Sequence, residues 1–231
     1  MIRVTILAAM HGDETYGIDL YHAFVAAHPG MADNVQLIIG NEKAFKDHVR
    51  YIDIDMNRNY ADKPVGHEAT EMERVERELT TFSPDYIFDV HTTKRDSGIF
   101  IISDTLNDAR KAMCSMFAIP ACIMQDAVIK KSFIGNHANA VSLEYSLNAI
   151  STESTQTFVE ALANLIRGSV GTHQPEMYTV SRLITKSDWL HYPGLKNHDT
   201  KPEGVALMVP VDESEMDAEY YGFWCEPAFK K

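Results

Sequence analysis

The tetrapeptide His11-Gly12-Asp13-Glu14 offers an imidazole and a carboxylate three residues apart, directly after an apolar run at residues 4–9. Zinc accepts imidazole nitrogen and carboxylate oxygen, and a catalytic zinc site uses three protein ligands with its fourth position left for water. Residues three apart lie on one side of a helical turn, so a loop entering a helix can aim both side chains at one ion. Gly12 is expected to let the backbone bend tightly between them. Alone, the HxxE spacing is a weak pattern, because His and Glu are common. A third ligand must come from elsewhere.

His91 stands out among ten histidines because it ends the apolar run 86–90, follows Asp89 and precedes Thr92 and Thr93. A histidine buried there needs polar partners, and a metal is one of them; a core histidine satisfied by hydrogen bonds is the equal alternative. Asp89 either holds the second nitrogen of a ligand imidazole or makes a local loop or capping bond. Glu144 lies in Val141-Ser142-Leu143-Glu144-Tyr145. A carboxylate is costly to bury unpaired, so its place in an apolar run asks for a reason. The bland alternative is an edge-strand surface acid. Residues 50–58 (RYIDIDMNR) are dense in Arg, Asp and Asn within a stretch, 41–65, that shows no period. A loop this long in a compact domain is usually functional or disordered, and this composition favours function. Its guanidinium forks suit carboxylates, whether those of a ligand or of Asp53 and Asp55 beside them.

In this order, HGDE, RYIDIDMNR, Asp89-Val90-His91-Thr92-Thr93 and Ser142-Leu143-Glu144 resemble the aspartoacylase and succinylglutamate desuccinylase family, a branch of the zinc carboxypeptidase-like hydrolases. The resemblance covers roughly residues 1–170. It implies one Zn2+ ion held by His11, Glu14 and His91, with Glu144 as general base toward a water molecule. It further implies that Arg50 polarises the scissile carbonyl, that Asn57 and Arg58 hold a substrate carboxylate, and that Tyr220 closes the pocket. The implied reaction is hydrolysis of the amide of an N-acyl amino acid, with an acidic amino acid expected. The chain departs from the family at two points. Tyr145 and Ser146 follow Glu144 where a Gly is usual, and only Lys130 and Lys131 lie near the place of a second carboxylate-binding Arg. A metallocarboxypeptidase or amidase acting on small peptides shares the HxxE and His pattern. A non-catalytic metal-binding protein is the remaining alternative, and an aligned Arg50 and Glu144 argue against it.

The elements that must position these residues follow from periodicity. Strands are expected at 4–9, 35–39, 86–90, 98–103, 121–125 and 139–145, and helices at 14–28, 68–82, 106–117 and 153–167, the last capped by Thr152. The acids and bases of 71–78 read as a solvated helix face. HGDE and His91 both follow strands, so both fall at the carboxyl edge of one sheet, where ligands collect. The expected fold is α/β, a mixed central sheet flanked by helices, with a small β-rich C-terminal appendage. The division expected is a hydrolase domain over 1–174 and the appendage over 175–231, with short strands at 178–184, 205–211 and 220–225.

A chain of 231 residues with 45% hydrophobic and 23% charged content is of ordinary globular type. A net charge of −12 argues against nucleic-acid binding. It also means that a small anionic substrate needs local cations, for which Arg50, Arg58, Lys94, Arg95, Lys130 and Lys131 are the candidates. No apolar run approaches the roughly 20 residues that span a bilayer. Three cysteines without CxxC spacing fit a cytoplasmic protein rather than a disulfide framework. Self-association into a homo-oligomer is left open.

Overall fold

The computed structural model describes residues 1–62, 65–94, 97–125, 127–169, 171–193, 195–196, 198–207 and 222–228. In chain order the elements begin with β1 (Val4–Ala8), α1 (Tyr16–Ala27), β2 (Val35–Ile39), α2 (Glu42–Asp47), α3 (Met56–Asn59) and α4 (His67–Phe82). They continue with β3 (Tyr86–Thr93), β4 (Ile99–Ser103), α5 (Asp108–Ser115), β5 (Ala121–Ile123), α6 (Ala127–Lys131), α7 (Phe133–Asn136) and β6 (Ala140–Ser146). The last are α8 (Thr152–Ile166), β7 (Met177–Ile184), α9 (Lys186–His191), β8 (Thr200–Lys201), β9 (Gly204–Leu207) and β10 (Gly222–Pro227).

All the strands join one mixed sheet in the order β2-β1-β3-β6-β4-β5-β7-β10-β9-β8. The half carrying β2, β1, β3 and β6 is parallel, and β4 pairs antiparallel to β6. Helices cover both faces, which is why β1 is buried at every position. Alternation sorts the side chains. Phe88 and Val90 of β3 with Val141, Leu143 and Tyr145 of β6 pack toward α1 and α8, against Leu20, Phe24, Phe158 and Leu162. Ile87 and Ala140 point to the opposite face, where Met72, Val75 and Leu79 of α4 lie. By the same alternation Asp89, His91, Ser142 and Glu144 occupy that second face.

The sheet is the α/β architecture expected. The strands after residue 174 extend it: β7 pairs parallel to β5, and β10 pairs antiparallel to β7. Several local expectations need correction. Residues 41–65 are not one loop, for α2 and α3 lie within them, started by the side chains of Asn41 and Asp55 accepting from Ala44 N and Asn57 N. Helices of four to six residues set by caps carry no period to read. Helices α6, α7 and α9, of four to six residues, are likewise too short to show a period. The cap of α8 is Ser151 rather than Thr152.

The charged face of α4 is only partly wet. Glu71 is buried and pairs with Arg74 at 2.9 Å, and Arg74 also donates to the carbonyls of Ile39 and Gly40 at the end of β2. No helix among the described residues is long and apolar enough to cross a membrane.

Candidate active site

The first loop leaves β1 through Ala9, whose φ of 51° is left-handed and costs a non-glycine residue roughly 1–2 kcal/mol. Four backbone bonds hold that turn: Ala9 N to Glu14 O at 3.2 Å, Gly12 N to Arg50 O at 3.0 Å, Glu14 N to His11 O at 2.9 Å, and Asn41 N to Ala9 O at 2.9 Å. The turn folds Glu14 back beneath His11. Gly12 has no positive φ; it is needed because a Cβ there would lie 2.1 Å from the Ala44 carbonyl carbon of α2. The expectation of a tight bend at Gly12 gives way to one of close backbone approach.

His11, Glu14 and His91 are all buried, and one donor atom from each lies within 4.8 Å of the others. The Glu14 carboxylate faces both rings, Oε1 at 2.8 Å from His11 Nδ1 and Oε2 at 2.9 Å from His91 Nδ1. The outer nitrogens also meet carboxylates. His11 Nε2 is 3.2 Å from Asp55 Oδ1, and His91 Nε2 is 3.0 Å from Asp89 Oδ2. Asp89 is fully buried, and neither of its oxygens has a hydrogen bond of good geometry. A carboxylate behind each ring is the usual way of orienting a metal-ligating imidazole.

The electrostatics agree. Burial alone would lower both imidazoles, yet the neighbouring carboxylates outweigh it: Glu14 and Asp55 raise His11, and Asp89 and Glu14 hold His91 well above the ordinary value. Burial would raise Glu14, but the two rings keep it well below the usual carboxylate range. A field that retains protons on two buried rings also favours a divalent cation among them. The donor set, two imidazoles and one carboxylate, fits a zinc-type ion.

Glu144 lies in register with His91 on the adjacent strand β6 and on the same face. Ser142 Oγ donates to Glu144 Oε1 at 2.9 Å. Burial, with Glu14 and Asp89 nearby, pushes the Glu144 carboxyl up, while His91 and the Ser142 bond act the other way. The unusual Tyr145 and Ser146 have structural work: Tyr145 packs edge-on to Tyr16, and Ser146 Oγ accepts from Ser97 N at 2.8 Å.

Arg50 donates to Glu14 Oε1 at 3.0 Å and approaches Asp55 Oδ2 at 3.5 Å, so it reaches the ligands and also makes the local Asp55 pair. Asn57 is fixed by Phe133 N, which donates to its Oδ1 at 3.2 Å, and its Nδ2 lies 3.4 Å from His91 Nε2. These residues, with Arg58, line a cavity of about 660 Å3 together with His11, Glu14 and His91. Lys130 and Lys131 do not line it, and Lys131 pairs with Asp62 at 2.6 Å. Tyr220 lies outside the described residues.

Three contributors were not anticipated. Glu68, at 0% exposure, accepts from the backbone N–H groups of Ile52, Asp53 and Ile54 and from Asn41 Nδ2, and so anchors the segment that carries Arg50 and Asp55. Its sequence signal was its place in line with Met72, Val75 and Leu79 on the apolar stripe of α4. Ser142 has no sequence signal beyond its place in Ser142-Leu143-Glu144. The third is the apolar wall formed by β4, β7, β10, α6 and α7.

Residues 1–166 match the profile of the succinylglutamate desuccinylase/aspartoacylase catalytic domain. The chain belongs to that family. A succinylglutamate desuccinylase of Paraburkholderia xenovorans is 34% identical over 113 residues, a match covering 42% of this chain and 33% of that protein. The chain thus spans about a third of the length of that curated relative. Two solved structures share the family's fold at low identity. The succinylglutamate desuccinylase from Chromobacterium violaceum superposes with a TM-score of 0.72 at 16% identity, covering 99% of this chain and 85% of that one. A mutant of murine aminoacylase 3 gives 0.71 at 14%, covering 97% and 94%.

Proposed function

We propose that this protein is a metal-dependent hydrolase that cleaves the amide bond of an N-acyl amino acid, with Zn2+ as the ion. The observation that carries this reading is the pairing of a three-residue ligand set with a base: Glu14 between two Nδ1 atoms, and Glu144 in register beside His91. His11, Glu14 and His91 would hold the zinc ion, which would supply Lewis acidity and lower the pKa of a water molecule.

The chain's own residues do the rest. Glu144, its carboxyl pushed up by burial, accepts the proton of the attacking water and returns it to the departing amine. Ser142 holds that carboxylate through Oε1. Arg50, steadied by Glu14 and Asp55, stabilises the charge that develops on the carbonyl oxygen. Arg58 and Asn57 receive the substrate carboxylate at the cavity wall, where a guanidinium fork matches it. Tyr220 is the proposed pocket-closing residue. The three cysteines described are unpaired, as suits a cytoplasmic enzyme.

The test is release of free amino acid from a panel of N-acetyl and N-succinyl amino acids by the zinc-loaded protein, with short peptides alongside. Turnover of the acyl amino acids that stops on chelation is expected. Cleavage of peptides alone would move the protein to the carboxypeptidase reading.

A further inference from the structure

The cavity has two chemically distinct ends. At one end stand the metal-ligand set, Glu144 and the loop bearing Arg50 and Arg58. Beyond Glu144 along the sheet the lining turns apolar: Ile102 at β4, Met124 after β5, Leu183 of β7 and Phe223 of β10, which share one apolar cluster with Ile129 of α6 and Ile134 of α7. No acid or base lines that end among the described residues.

Cations are scarce where a second substrate carboxylate would need one. Among the described residues the arginines and lysines lining the cavity are Arg50 and Arg58 alone, and Arg50 is already tied to Glu14 and Asp55. Four carboxylates, Glu14, Asp55, Asp89 and Glu144, face the same space. Residues 208–221, outside the described set, contain five acids and no Lys or Arg, so by composition they bring no cation. Lys63 and Arg95 also lie outside the described set.

Resting on the hydrolase reading above, we infer that the substrate is an N-acyl amino acid with a single carboxylate and an otherwise apolar body, which lies against Ile102, Met124, Ile129, Ile134, Leu183 and Phe223. Arg58 and Asn57 take the carboxylate. The apolar body excludes water from the wall, whereas an aspartyl or succinyl carboxylate placed there would be buried without a partner. Burial of a leucine-sized group on such a wall corresponds to roughly 10- to 100-fold in affinity. The shared chemistry is an apolar group, supplied either by the amino-acid side chain or by the acyl chain.

The experiment is calorimetric titration of zinc-loaded Glu144→Gln protein, which binds without consuming its ligands. The ligands are N-acetylleucine, N-acetylphenylalanine, N-hexanoylglycine, N-acetylaspartate and N-succinylglutamate. The apolar ligands should bind at least about tenfold more tightly than the two acidic ones. Whichever of N-acetylleucine and N-hexanoylglycine binds more tightly identifies the part of the substrate on the wall. Leu183→Arg, placed in the same background, should weaken N-acetylleucine and strengthen N-acetylaspartate. The wild-type wall's ranking decides the matter if that variant does not fold. Equal or tighter binding of the acidic ligands overturns the inference and leaves the hydrolase reading standing, and its loss in Arg95→Ala would name the missing cation. Absence of binding by every ligand, with zinc present, overturns both.

Discussion

Glu14 ties the site together, because each of its oxygens meets a different imidazole and Arg50 shares one of them. Replacing His91 with Ala removes one donor of three and leaves Glu14 and Asp89 as buried charges without their common partner. Zinc content by mass spectrometry should fall from about one ion per chain to well under half, and the variant protein should melt below the parent; full retention of zinc would remove His91 from the ligand set. The cysteines carry a separate prediction. Burial pushes the Cys114 thiol up to about 12, which leaves little thiolate there at neutral pH, and burial closes access to Cys122 and Cys225. Iodoacetamide should label none of the three in the native state and all three in urea. Native labelling of Cys114 would contradict its packing. The gathering of His11, Glu14 and His91 was legible in sequence because their motifs lie at the carboxyl ends of strands and kept a recognisable order. Ser142 was not, since a serine inside a strand announces neither its rotamer nor its acceptor.

At the scale of elements, the site depends on contacts made away from it. Glu68 gathers three backbone donors from residues 52–54, and each N–H left unsatisfied on its removal costs on the order of 1–3 kcal/mol. Glu68→Ala should lower unfolding stability in urea by at least that amount. It should also reduce kcat by freeing Arg50, while zinc content stays unchanged because all three ligands remain. An unaltered urea midpoint would show that the segment holds itself. Gly12→Ala tests the packing of the first loop on α2. The added carbon meets backbone 2.1–2.5 Å away, which cannot give as a flexible side chain would, so both stability and zinc binding should fall. The long strands and helices were readable from period and punctuation. Helices α2, α3, α6, α7 and α9 were not, because four to six residues are too few to show a stripe. The burial of Glu68 and Glu71 shows the limit of reading a charged helix as wet: both face the apolar stripe of α4 and are retained by specific donors.

For the whole molecule, one sheet joins the motif-bearing part of the chain to its C-terminal strands. Ile184, Phe223 and Trp224 are at most 3% exposed, and Leu183 and Phe223 line the cavity. Each fully buried side chain of this size contributes roughly 1.5–3 kcal/mol, and three together rival much of a net stability of about 5–15 kcal/mol. A chain ending at residue 174 should therefore lose cooperative melting and ligand binding; a stable, active fragment would favour two independent units. The mixed sheet was foreseeable from the alternation of strand and helix signals. That the last strands would continue the same sheet was not, because edge pairing between β5 and β7 leaves no local mark in either segment. In the proposed reaction Glu144 acts as base beside an ion held by His11, Glu14 and His91. The most direct test is Glu144→Gln, measured for zinc content and for hydrolysis of the best N-acyl amino acid in the panel. Zinc should remain at the parental level while turnover falls by roughly 100-fold or more. Parental turnover with zinc bound would take Glu144 out of the reaction.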